Sequence, residues 1–144
     1  MKKLWIAPAV AALAIVAALV TVAQAQKGKQ VIYVSSEQAT YKPSPTGGTS
    51  MHVLLGDPDK GSHATFTKFE PGFDAGMHTH TNGVSLVVIK GAYLYKDDAG
   101  EQRVGPGEFL FIPGGHKHWS GGDKTEGALF YQEGSGKFDL IPVK

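Results

Sequence analysis

An all-β fold of short strands, closed as a sandwich or barrel, is what this sequence predicts. Three observations predict it. Short apolar or alternating runs recur from residue 51 to residue 141, each is bounded by Gly, Pro, Asp or Asn, and beyond residue 25 no segment sustains apolar spacing at three and four residues. The 19 Gly and 8 Pro supply the turns that such a fold needs. With 144 residues there is room for one core and not two.

Composition also narrows the chemistry. The 14 Lys plus Arg nearly balance the 13 Asp plus Glu, so no broad basic face is implied and nucleic acid is not an expected partner. The chain has no Cys, which removes disulfides, thiolate metal sites and thiol nucleophiles together. His, Asp and Glu are then the only strong metal ligands left.

Residues 1–25 read as an export segment ahead of the domain. Met1-Lys2-Lys3 is a cationic head, residues 4–22 are uncharged and mostly Ala, Val, Leu and Ile, and Ala23-Gln24-Ala25 is a small-x-small cleavage site. A signal peptide over 1–25 and an exported domain over 26–144, periplasmic or secreted, are therefore expected. The apolar stretch approaches the ~20 residues that span a bilayer, so an uncleaved membrane anchor is the competing expectation; a cleaved signal leaves no stable membrane insertion.

Within the domain, Val31-Ile32-Tyr33-Val34 is of strand type because β-branched and aromatic side chains favour extended backbone. Residues 42–48, Lys-Pro-Ser-Pro-Thr-Gly-Gly, predict a loop, since Pro lacks a ladder donor and Gly adds backbone entropy. Strands are then expected at 51–55, 63–69, 84–89, 92–95, 109–112, 128–131 and 138–141, with Lys96-Asp97-Asp98-Ala99-Gly100 as a hairpin turn. Period-two alternation groups Val84, Leu86 and Val88 on one face and His63, Thr65 and Thr67 on another.

The chemistry-bearing residues are histidines. His78 and His80 stand two apart, and in an extended chain residues i and i+2 project from one face, so one strand can aim two imidazoles at one point. A second pair, His116 and His118, follows the apolar run 109–112 and the turn Pro113-Gly114-Gly115. Both pairs fall at loop-to-strand junctions, which gather at the mouth of a small barrel.

The spacing of these residues resembles the two motifs of the cupin superfamily. Gly72, His78, His80 and Gly91 stand as in the first motif, and Gly107, Pro113, Gly115 and His118 as in the second. The resemblance implies a single-domain cupin, a jelly-roll-like double-stranded β-barrel. It implies that His78, His80 and His118 point inward at one divalent transition metal, with Fe, Zn, Mn, Ni and Cu all open. Two positions depart from the family pattern: Val84 stands where the first motif has its glutamate, and Gly122 where the second often has asparagine.

Loss of that glutamate has consequences. Three neutral imidazoles leave a bound M²⁺ with its full charge, which acidifies bound water and favours anionic ligands. Three-histidine cupins that act as dioxygenases are known, and loss of the glutamate also marks cupins that have lost their metal. His116 is expected to donate to a backbone carbonyl, with the cavity as its alternative, and His63 to be a satisfied structural side chain or a pocket contact. Tyr93, Tyr95, Trp119 and Tyr131 are candidate polar groups of the pocket. The run 136–143 resembles the closing segment of small bacterial cupin-like proteins, a resemblance that supports the fold and adds nothing about chemistry. Two functions follow: a metal-dependent enzyme, oxygenase-like or a lyase or isomerase, acting on a small chelating substrate, or a binding module for a small ligand or metal. A homodimer paired through sheet edges is expected in either case.

Overall fold

The computed structural model describes residues 30–143; the expected export segment lies outside the described residues. Among them no helix is present, and the strands are β1 (Lys42–Pro43), β2 (Thr49–Gly56), β3 (His63–Phe69), β4 (Asp74–Thr79), β5 (Val84–Gly91), β6 (Tyr93–Asp97), β7 (Gly100–Val104), β8 (Phe109–Ile112), β9 (His118–Gly122), β10 (Ala128–Gly134) and β11 (Ile141–Pro142). One sheet runs β1-β2-β3-β10-β5-β8 and the other β11-β4-β9-β6-β7, with antiparallel pairing throughout. Leu86, Val88 and Phe130 of the first sheet meet Tyr93 and Val104 of the second in a shared core, so the sheets face each other. Each large apolar side chain buried there contributes roughly 1.5–3 kcal/mol.

The predicted alternation is realised. Val84, Leu86 and Val88 are buried, as are His63, Thr65 and Thr67 on the neighbouring inward face. The buried hydroxyls of Thr65 and Thr67 bond each other at 3.0 Å, which satisfies them within the interior. The 96–100 turn is a two-residue hairpin closed by the Asp97–Gly100 pair. Gly91 adopts φ 71°, and a Cβ on it would lie 2.2 Å from the Gly127 carbonyl oxygen. The chain crosses itself there at backbone distance, which only glycine permits.

Several expected elements are corrected. Val31–Val34 is in no strand, because extended propensity makes a strand only where a ladder partner accepts it. Lys42 and Pro43 pair with Met51 and Ser50 rather than joining the loop; Pro is tolerated because β1 is an edge. Of 138–141 only Ile141 is in a strand, since the Asp139 carbonyl is engaged by the His80 ring and its carboxylate by the Thr81 backbone N–H and hydroxyl. Strands β4, β7 and β9 have no apolar run to announce them: β4 contains the positive-φ Gly76 within a register break, and β7 is a mostly exposed edge.

Candidate metal centre

Strand β4 ends on His78-Thr79, with His80 one residue beyond, and β9 begins on His118. The β4–β9 register places His78 directly opposite His118, while i, i+2 geometry places His80 beside His78. The three rings consequently cluster, with centroids 4.3 Å apart for His78 and His118, 4.9 Å for His78 and His80, and 5.2 Å for His80 and His118. All three side chains are buried, and one ring nitrogen from each lies within 4.8 Å of the other two.

The second nitrogen of each ring is already engaged. His78 Nδ1 faces the Gly76 carbonyl at 2.8 Å, His118 Nδ1 faces the His116 carbonyl at 2.9 Å, and His80 Nδ1 faces the Asp139 carbonyl. A carbonyl can only accept, so each Nδ1 must carry the proton, and each Nε2 is left as a bare lone pair. Nε2 of His118 is buried without any hydrogen-bond partner. Three neutral imidazoles aimed at one point, one with an orphaned acceptor, fit a divalent transition metal, because a cation satisfies converging lone pairs that no protein donor reaches.

Electrostatics agree with that donor set. Burial holds the His78 pKa below its ordinary value and takes that of His118 down to about 4, and the neighbouring imidazoles push the same way. Both rings therefore stay neutral and able to ligate at neutral pH.

A cavity of about 270 Å³ opens beside the histidines and is lined by His78, His80, Val84, Gln132, Phe138 and Leu140 among others. It lies just below the ~300 Å³ at which drug-sized sites begin, so it suits a small molecule. Val84, at the family's glutamate position, is buried and forms part of this wall. Gly122, at the asparagine position, has no room for a side chain: a Cβ would lie 2.7 Å from the Glu70 carbonyl oxygen.

The remaining candidates separate. Tyr93 lines the cavity; its hydroxyl is bonded to Ser120, and burial pushes its pKa up to about 12. His63 is buried outside the triad, its Nδ1 on the Gly61 carbonyl at 3.0 Å and its ring edge-on to Phe138. His116 is corrected: its ring bonds the carboxylate of Asp97 at 2.9 Å, not a backbone carbonyl, because the β6–β7 hairpin turn comes alongside it. Trp119 bonds Asp74 and Tyr131 bonds Glu133, and neither lines the cavity. Within residues 136–143, whose resemblance carries no information about chemistry, Phe138 and Leu140 line the cavity and the Asp139 carbonyl meets His80. No local pattern marks Asp139, whose carbonyl reaches a histidine 59 residues earlier.

Comparison with known proteins agrees with this geometry. Residues 29–136 match the family described as the ChrR Cupin-like domain. A curated relative, an (R)-mandelonitrile lyase of Granulicella tundricola, is 33% identical over 82 residues, covering 56% of this chain and 63% of its own length. The chain thus spans less than two thirds of that relative. Of the solved structures, the polyketide cyclase RemF of Streptomyces resistomycificus is similar with a TM-score of 0.66 at 20% identity, over 80% of this chain and 87% of that one. A cupin-like protein of unknown function from Ralstonia eutropha has a TM-score of 0.64 at 24% identity, over 79% and 78%. These structures speak for the fold, and the family match spans well over half the sequence: the chain belongs to the ChrR cupin-like domain family of the cupin superfamily.

Proposed function

We propose that this protein is a metal-dependent enzyme of lyase type that acts on a small molecule offering an oxygen ligand. The observation that carries the reading is the donation of all three Nδ1 protons to backbone carbonyls, which leaves Nε2 of His78, His80 and His118 to hold one divalent transition metal. When bound, such an ion acts as a Lewis acid that polarises the substrate oxygen. Val84, Phe138 and Leu140 exclude water from one side of the cavity, while Thr67, Ser120 and Gln132 offer hydroxyl and amide groups to orient a ligand. Non-oxidative cleavage is preferred to oxygenation because the curated relative is named as a lyase.

A second reading, a non-catalytic binding module, is favoured by one feature. No carboxylate is among the cavity-lining residues, so a general base must come from elsewhere. The same feature means that an anionic ligand meets no like charge in the cavity wall.

The test begins with elemental analysis of untagged protein beside a His78→Ala/His118→Ala variant. Mandelonitrile cleavage is then followed by benzaldehyde absorbance in anaerobic buffer. Near one metal per chain, lost in the variant, with cleavage in the absence of air, is the expected result. Metal and ligand binding without turnover would favour the binding module, and turnover that needs air would favour an oxygenase. No metal even after reconstitution overturns the proposal. Export of residues 26–144 and homodimer formation belong to the same proposal; N-terminal sequencing of the exported protein and sedimentation equilibrium check them.

A further inference from the structure

Two of the three histidines are oriented locally and one is not. His78 and His118 each bond a carbonyl two residues earlier, whereas His80 bonds the carbonyl of Asp139 in the C-terminal segment. That segment is itself tied down. The Asp139 carboxylate accepts the Thr81 backbone N–H at 2.8 Å and the Thr81 hydroxyl at 2.6 Å. The Asn82 amide donates to the Lys137 carbonyl at 3.0 Å, and the Phe138 N–H donates to Pro58 at 2.8 Å. Strand β11 then pairs Ile141 with Thr79 and Pro142 with His78.

The segment also closes the cavity. The Phe138 ring lies 5.1 Å from the His80 ring, tilted by 38°, and Phe138 and Leu140 both line the cavity. The family match ends at residue 136, and these side chains lie just past the matched stretch.

From these contacts we propose that residues 137–143 form a strap that tunes this chain's site, with Asp139 the positioning residue that fixes His80 and Phe138 the residue that limits ligand size. The proposal rests on the reading of His78, His80 and His118 as metal ligands. Thr81 and Asp139 lock the backbone carbonyl in place, so loss of the Asp139 side chain frees His80 without removing any ligand atom. Outer partners of this kind typically govern ~10–100-fold of metal affinity.

The test uses the full-length chain. In metal-free protein, ¹⁵N-correlated spectra of the imidazoles read the His80 tautomer. Wild type is expected to show the Nδ1–H form alone, Asp139→Ala a mixture, and Asp139→Asn, which keeps an acceptor for Thr81, a return toward wild type. Co²⁺ affinity by chelator competition is expected to fall ~10–100-fold in Asp139→Ala and less in Asp139→Asn. Co²⁺-loaded Phe138→Ala and Phe138→Leu are then titrated with imidazole and with 4-phenylimidazole. The larger probe is expected to gain about tenfold while imidazole is unchanged. An unaltered tautomer and unaltered Co²⁺ affinity in Asp139→Ala, or equal gains for both probes, would overturn the strap. Wild type that takes no Co²⁺ while His80 keeps a single tautomer would sink the metal reading and, separately from the strap's contact with His80, its effect on affinity.

Discussion

The rings of Tyr95 and His118 lie 5.6 Å apart at 19°, a stacked pair that covers one face of a proposed metal ligand. The Tyr95 hydroxyl donates to the Asp97 carboxylate at 2.8 Å, and the same carboxylate oxygen bonds His116 at 2.9 Å. Those bonds, Tyr95 first and His116 second, hold the Asp97 carboxyl down to about 2. The β6–β7 hairpin turn thus braces His118 through one aromatic ring.

Tyr95→Leu should therefore weaken Co²⁺ binding by about tenfold, since ligand orientation by outer partners governs ~10–100-fold of affinity. Tyr95→Phe keeps the stacked ring and should lose much less. Chelator competition reads both variants, and equal losses would rule out stacking as the brace.

Val84→Glu should restore a carboxylate beside the histidines. Val84 is 4% exposed and lines the same cavity as His78 and His80, so the metal-free variant should lose about 1–3 kcal/mol for burying a polar group. In the loaded protein the carboxylate offsets one unit of metal charge, so metal affinity should rise while azide binding falls. Calorimetric titration with Zn²⁺ and then azide measures both; unchanged affinities would place residue 84 out of reach of the ion.

Gly91 and Gly107 both adopt positive φ, yet only Gly91 is crowded, with the Gly127 carbonyl oxygen 2.2 Å from where its Cβ would stand. Gly107→Ala should cost only the ~1–2 kcal/mol of the left-handed conformation. Gly91→Ala adds a backbone collision and should cost about 3 kcal/mol or more. Urea unfolding compares them, and equal costs would mean that the crossing of Gly91 and Gly127 opens freely.

Stability of the metal-stripped protein should depend on acid through His118. Its pKa is about 4 in the folded chain and near the ordinary 6.5 when unfolded, so between those values the unfolded chain binds more protons. The contribution is full above about pH 6.5 and is lost as pH falls toward 4. The urea midpoint should drop across that window in wild type and drop less in His118→Ala. Asp97, with its carboxyl depressed to about 2, acts separately, below the ordinary carboxylate value near 3.8. An identical acid profile for the two proteins would exclude His118 as the source.

The all-β class, most strand positions, the 96–100 hairpin and the inward faces of β3 and β5 were legible in the sequence. Each follows from neighbouring residues: period-two burial, Gly and Pro punctuation, and the turn chemistry of Asp and Gly. So was the set His78, His80 and His118, because the residues that carry the resemblance to the two cupin motifs are local in the sequence. Strands β4 and β7 were hidden since a bulge or an exposed edge needs no apolar run, and β9 because its buried positions are His, Ser and Gly rather than apolar side chains.

What the sequence by itself determined is the inventory: a sandwich or barrel of short strands, three histidines at positions that resemble the cupin motifs and an apolar residue at position 84. Only the tertiary structure decided how those histidines are held. The β4–β9 register set His78 against His118, the hairpin brought Asp97 to His116, and the C-terminal segment carried the Asp139 carbonyl to His80 across 59 residues. Hydrogen-bond partners of this kind depend on register and chain crossing, which are properties of the assembled sheets, and a local pattern contains neither.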